Sequence, residues 1–333
     1  MKKILLTLLC LLQLNLIFAA NAKYESENYN LNLTYNDVIT PGDAIFVRMN
    51  ITTPKAHKKS KNDPEKKATL QLLQDKKVIE SAPFYSLKSK KANFTEMLCG
   101  IPVSLWLKDG NYSLKIIYDY SHSDIKEFIL PSRLQMRTFP EEVLELDERN
   151  TNIKTDNSPE RAAQIEKLNN ILFTSMQCDI FSLKKFTTPT ESQRYTAYCG
   201  DRRTYVYTNG KSSTSLHYGN DYGVPTGTEV KACAGGKVVM AESRISTGWS
   251  VVIEHLPGLY SLYYHMSELS VKEGDMVNPG QLLGKSGATG LATGPHLHWE
   301  VRLNGSAVRP EFFLNDFTFE ENLWIATSLR SSQ

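Results

Sequence analysis

The 333-residue chain has no C-x-x-C pair, no large excess of one charge sign, and no internal repeat or low-complexity segment. The first absence argues against a thiolate zinc site or a thioredoxin-like redox motif. With 38 basic against 36 acidic residues, global charge gives no reason to expect a nucleic-acid partner. At 41% apolar and 22% charged residues, the chain also lacks the composition of a disordered polymer and is long enough for two or three cored domains.

Its one N-terminal apolar run, Ile4 to Leu12, is interrupted by Gln13 and Asn15. It falls short of the roughly 20 residues of a membrane-spanning helix. Lys2 and Lys3 precede the run and Ala20-Asn21-Ala22 follows it, so residues 1–22 are expected to be a cleaved export signal, with an uncleaved anchor as the rival. The expected location is the periplasm or cell envelope. Cleavage would leave 36 residues of each sign. Cys10 departs with the signal; Cys99, Cys178, Cys199 and Cys233 remain, and their wide spacings identify no disulfide pairing.

Residues 23–131 show short strand-like runs, at 30–35, 44–51, 68–74 and 111–120, broken by Pro41-Gly42 and Asp109-Gly110. This spacing predicts an immunoglobulin-like β-sandwich. Its basic stretches, 55–67 and 88–91, could touch an anionic cell-envelope surface, although solvated loops explain them as well. Residues 132–184 are expected to form a connector with one amphipathic helix near 158–175. There Ser158 caps Pro159, and Ala162, Ile165, Leu168 and Leu172 recur at helical steps. The overall expectation is mainly β, with a short helical connector leading to a C-terminal antiparallel β domain over 185–316 and a tail over 317–333. Pro257-Gly258 marks a hairpin between 249–255 and 259–266.

The chemistry sits in that last domain. In GPHLHWE (294–300), His296 and His298 are two residues apart; on a strand they share a face, with Cα atoms roughly 6.6 Å apart. One could hold a metal while the other handles water, and spacing does not say which. A pair of hydrogen-bonded core histidines is the plain alternative. Upstream, SLHYGNDYG (215–223) sets His217 and Asp221 four residues apart around Gly219. Imidazole and carboxylate suit Zn²⁺, and three protein ligands would leave one position open. Strict alternation in LYSLYYHMS puts Ser261, Tyr263 and His265 on one face, so His265 is expected in a cleft with Tyr263 beside it against substrate. His255 belongs to no ligand pattern and is expected to be structural; His57 and His122 are expected at the surface.

The runs HYGNDYG, YYHMS, VKEGDMVNPGQLLG and GATGLATGPHLHWE together resemble the LytM and lysostaphin-like zinc metallopeptidases of family M23, across Tyr205 to Leu314, with a weaker lead-in through Gly200, Asp201, Arg202 and Arg203. The resemblance implies Zn²⁺ held by His217, Asp221 and His298, with His296 as general base. It implies His265 as a second catalytic histidine at the developing oxyanion, and peptide bonds of peptidoglycan as substrate. Asn220, Trp299 and Arg309 depart from the usual pattern, and Asn220 raises doubt about substrate fit nearby. A noncatalytic wall-binding or amidase-activating relative would typically lack zinc ligands that are present here. A biotinyl or lipoyl carrier, suggested by the rhythm of VKEGDMVNPGQLLG, would need a lysine on a tight hairpin that is missing.

Overall fold

Alternating burial along Asn30–Asn36 and Lys67–Gln74 is the pattern of strands with one face on a core. The computed structural model, which describes residues 19–54, 67–87, 93–120, 124–173 and 180–319, places them in two facing sheets. One holds Ala19–Glu25, Asn30–Asn36, Ala44–Thr52, Phe94–Pro102 and Tyr85–Leu87; the other holds Ile125–Leu130, Tyr112–Asp119, Lys67–Gln74 and Lys77–Pro83. Leu31, Leu33, Val47 and Met49 from the first sheet meet Leu70, Leu72, Leu114 and Ile116 from the second. The first strand, Ala19–Glu25, runs across the expected cleavage point, so cutting after Ala22 would leave its last three residues. Most of the expected signal (1–18), Cys10, Cys178, His57, His122, the basic stretches apart from Lys67, and 320–333 lie outside the described residues. Among the described residues, no helix is long and apolar enough to cross a membrane.

The C-terminal part is built on a sheet whose strands run in the order Tyr195–Ala197, Asn220–Tyr222, Leu297–Leu303, Leu259–Leu269, Gly248–Leu256, Gly236–Arg244 and Met276–Val277. Gly258, at φ 77°, turns the chain between the two central strands. It occupies the left-handed region that only glycine enters freely.

The connector differs from expectation in two ways. It carries two helices rather than one: α1 over Glu148–Thr155 and α2 over Pro159–Leu172. Helix α1 has no apolar stripe to betray it; its signal is Asp147, whose side chain accepts a hydrogen bond from Asn150 N at 2.7 Å. The connector also contributes a strand that was not expected. Its strand Glu141–Glu145 pairs in parallel with Arg202–Val206, which pairs in turn with Ser212–Leu216. Asn150 reaches the Ala292 carbonyl and Arg149 the Gly290 carbonyl, so α1 is pinned to the loop leading into the His296 segment.

The sandwich and the C-terminal part share one core. Phe46, from the sandwich, packs against Phe312, Phe313, Phe317 and Phe319 with ring centroids 4.6 to 6.4 Å apart. Residues 317–319, expected to begin a tail, are therefore core. Gly100 makes room for this: a Cβ there would lie 2.4 Å from the Phe46 ring. Asp43 adds a polar tie, accepting from Arg309 Nε at 2.8 Å and from Arg137 Nη1 at 2.8 Å. Truncating a buried phenylalanine in such a cluster removes apolar contacts and leaves a void, so Phe46→Ala should cost about 3–5 kcal/mol in chemical denaturation. An unchanged midpoint would show that the two parts do not depend on a common core.

Candidate active site

Register across the C-terminal sheet assembles the site. Asp221 lies opposite His298, and His298 lies opposite Tyr264 on its other side. His217 arrives from the segment before Asn220–Tyr222, anchored by His217 N donating to the Asp201 carbonyl and Gly200 N donating to the His217 carbonyl. Gly219 is required by close approach: a Cβ there would lie 2.4 Å from the Trp299 carbonyl oxygen. That approach lets residues 217 and 221 turn onto the same point.

Three donor atoms converge there. His217 Nε2 is 2.9 Å from His298 Nδ1 and 3.0 Å from Asp221 Oδ1, and His298 Nδ1 is 2.7 Å from Asp221 Oδ1. They form the one cluster among the described residues suited to holding a metal ion. Ligands about 2.0–2.1 Å from a tetrahedral zinc stand roughly 3.3 Å apart, so a cation fits after the three atoms separate by a few tenths of an ångström. The outer hydrogen bonds already set the tautomers. His217 Nδ1–H donates to the Tyr198 carbonyl at 2.9 Å, leaving Nε2 as the donor atom; His298 Nε2 pairs with Glu300 Oε1 at 3.0 Å, leaving Nδ1. This is the arrangement by which second partners orient metal-binding histidines.

Charge in this buried cluster is tightly apportioned. Burial favours the neutral acid at Asp221, but His217 and His298 outweigh it and hold the carboxyl well below the usual range. Arg203 Nη2 also donates to Asp221 Oδ2 at 3.0 Å. Burial likewise opposes charge on His298, yet hydrogen bonds to Asp221 and Glu300 win and raise its pKa to about 9. Glu300 is held at about 2, against its burial, by Arg302 and His298. Burial pushes His217 down. Without a cation, then, His298 carries the proton of this cluster at neutral pH.

His296 and His265 complete the group, their ring centroids 4.7 Å apart. His296 Nδ1–H donates to the Gly294 carbonyl at 2.8 Å, and Nε2 lies 3.7 Å from Asp221 Oδ1. His265 Nδ1–H donates to the Thr289 carbonyl at 2.8 Å. Burial lowers both pKa values, that of His265 to about 3. Both rings are therefore neutral, each with an Nε2 lone pair. The surrounding cleft, about 460 Å³, is lined by these histidines, by Tyr218, Ser246 and Pro295, and by Glu142, Leu144, Leu146 and Lys154 of the connector.

Two expectations need correction. Tyr263 does not line the cleft: it is fully buried, and its hydroxyl accepts hydrogen bonds from Cys233 N at 2.8 Å and Ser261 Oγ at 3.0 Å. The cause is a bulge. Register jumps from Val251↔Tyr263 to Trp249↔Met266, so Tyr264 and His265 both oppose Ser250, and His265 adopts φ 61°. Strict alternation fails at the functional residue, and Tyr264 stacks on His298 at 5.5 Å instead. Asn220 points away from the cleft. It is buried, accepts from Cys199 N at 2.9 Å and donates to Glu311 at 2.7 Å, so it does not touch the substrate path. His255 is a core residue held by the Gly235 carbonyl and Ser261. Cys99, Cys199 and Cys233 are buried free thiols. The unforeseen contributors are Glu300 and Arg203. Glu300 had a signal, since it continues the two-residue step of His296 and His298; Arg203 stood in the weaker lead-in to the family resemblance, but nothing there gave it a role without the pairing of its strand.

A cation must displace the His298 proton. With a pKa near 9, metal affinity should rise about tenfold per pH unit from pH 7 and flatten above about pH 9. Competition against a chromophoric chelator measures this, and a flat profile would contradict the proton assignment. Glu300→Gln should weaken metal binding by about 10- to 100-fold through loss of a charged orienting partner.

The family model described as Peptidase family M23 matches residues 215–310, which contain all five clustered side chains. The chain is 44% identical over 95 residues to the DD-carboxypeptidase/endopeptidase Mpg of Neisseria meningitidis, covering 28% of this chain and 22% of that protein. It is 42% identical over 92 residues to the peptidoglycan DD-endopeptidase ShyA of Vibrio cholerae, covering 28% and 21%. The matched segment thus spans about a fifth of these curated relatives. A crystal structure of a peptidase M23 from Pseudomonas aeruginosa aligns over 84% of this chain and 96% of its own, with TM-score 0.52 and 21% identity, a likeness of fold. The segment that brings His217, Asp221, His265, His296 and His298 together is thus the part of this chain that matches peptidase family M23.

Proposed function

We propose that the protein is an exported zinc-dependent endopeptidase that hydrolyses peptide bonds of peptidoglycan during wall remodelling. The observation that carries this reading is the convergence of His217 Nε2, Asp221 Oδ1 and His298 Nδ1 within 3.0 Å of one another, beside two neutral histidines in an accessible cleft. Similarity to relatives named for peptidoglycan endopeptidase activity supports the substrate. The Lys2-Lys3, apolar run and Ala-Asn-Ala succession supports export.

A zinc ion held by His217, Asp221 and His298 would supply a Lewis acid that makes water a nucleophile near neutral pH and polarises the scissile carbonyl. His296 acts as base in this reading, which is supported by its Nδ1–H being committed to Gly294 so that Nε2 keeps a lone pair. It takes a proton from the attacking water and returns it to the leaving amine. His265 begins in the same state, so its Nε2 first accepts a hydrogen bond. It can serve the oxyanion as a donor only after gaining a proton on Nε2, since Nδ1–H remains with Thr289. Arg203 and Glu300 keep Asp221 and His298 oriented through both states.

Elemental analysis should find about one zinc per chain in the wild type and in His296→Ala, and none in His217→Ala. Hydrolysis of purified peptidoglycan by His296→Ala should fall by about 10²–10⁴-fold. Equal metal content in His217→Ala and wild type would reject the ligand set; undiminished turnover of His296→Ala would remove it from the base role.

A further inference from the structure

Among the described residues, Lys154, on the last turn of α1, is the charged residue lining the cleft that has no oppositely charged partner. A lysine near a helix C-terminus is favoured by the helix dipole, which accounts for its presence there but not for where its ammonium lies. Nζ sits 4.2 Å above the ring of Tyr205, on the wall of the cleft. Tyr205 and Arg203 are alternate residues of the strand Arg202–Val206 and so share a face, with Cα atoms roughly 6.6 Å apart. Arg203 is already paired with two carboxylates, donating to Asp221 Oδ2 at 3.0 Å and to Glu142 Oε2 at 3.2 Å. Lys154 is different: among the described residues no carboxylate lies within 4.0 Å of its Nζ. Burial, Arg161 and Arg203 all work against its charge. Arg161 also closes this side, donating from Nε to Ser246 Oγ at 3.1 Å, and Ser246 lines the same cleft. The result is a half-buried cationic corner, one strand step from the residue that grips Asp221.

We propose that Lys154 receives a carboxylate of the peptide substrate, so that helix α1, which lies outside the matched family segment, sets a preference for substrates bearing a free acid near the scissile bond. The inference rests on the proposed peptidase function and names a substrate feature for that site. An ammonium already stripped of part of its water and stacked on an aromatic ring pairs strongly with an incoming carboxylate. An amide at the same place would leave that ammonium unanswered. The carboxylate could be the C-terminus of a stem peptide or the free acid of a branching diamino acid.

The test uses the full-length, zinc-loaded protein and cross-linked stem-peptide dimers in three forms: both carboxylates free, the C-terminus amidated, and the branching acid amidated. In the wild type, kcat/KM should favour the free acid over one amidated form by about tenfold or more, and the form that suffers identifies the carboxylate. That preference should collapse towards unity in Lys154→Met and return in Lys154→Arg. An equal rate on all three forms in the wild type, or an undiminished preference in Lys154→Met, overturns the inference while leaving the peptidase reading intact. If the wild type cleaves none of them, the peptidase reading fails, and calorimetric binding of the same peptides to the metal-free protein decides the inference. Tighter binding of the free acid that is lost in Lys154→Met upholds it, and equal affinity for acid and amide overturns it.

Discussion

The site depends on one buried carboxylate. Asp221 is surrounded by His217, His298 and Arg203, three groups that favour its ionised form strongly enough to overcome burial. An ionised carboxylate in such surroundings is stable only while its partners remain, and a cation can replace the proton that His298 otherwise carries. The same interaction fixes geometry, because Asp221 is opposite His298 in the sheet register, so the backbone ladder and the side-chain cluster specify the same arrangement. Gly219 follows from this constraint: the turn that returns His217 to Asp221 passes too close to the Trp299 carbonyl for any side chain.

Around this centre the connector acts as a wall. Its strand Glu141–Glu145 extends the sheet that carries Arg203, and Glu142 accepts from that arginine's Nε while its Nη2 holds Asp221. Helix α1 then covers the loop approaching His296 through Asn150 and Arg149. The cleft is therefore shaped by two parts of the chain, one within the M23 segment and one before it. The shared phenylalanine core and the Asp43–Arg309 pair hold the sandwich against the same body, so the N-terminal part and the segment matching family M23 are joined by packing as well as by the connector.

Much of this was legible in the residues. Strands with one buried face announced themselves by alternation, as in Lys67–Gln74, and α2 by its Ser158 cap and apolar spacing. The cluster of His217, Asp221 and His298 was legible in part: the short spacings of His217 to Asp221 and His296 to His298 survive folding as local geometry, but the family resemblance, not spacing, chose His298 over His296 as the candidate ligand. What was hidden depends on departures from regular period or on long-range pairing. The bulge at Tyr264 and His265 moves Tyr263 into the core, and no residue type in LYSLYYHMS marks it. Helix α1 is polar throughout, so its stability comes from a cap and from contacts made 140 residues away. Arg203 became part of the site only through a strand pairing that its own neighbourhood does not specify, and Phe317 and Phe319 look like a tail until Phe46 is brought to them.

The central claim is that these side chains form a single three-ligand cation site. Anomalous diffraction from a zinc-soaked crystal, recorded on both sides of the zinc absorption edge, tests it most directly. The account predicts one strong peak about 2.0–2.2 Å from His217 Nε2, Asp221 Oδ1 and His298 Nδ1, with His296 and His265 uncoordinated. A peak bound instead by His296 or Glu300, or none in this cleft, would contradict it.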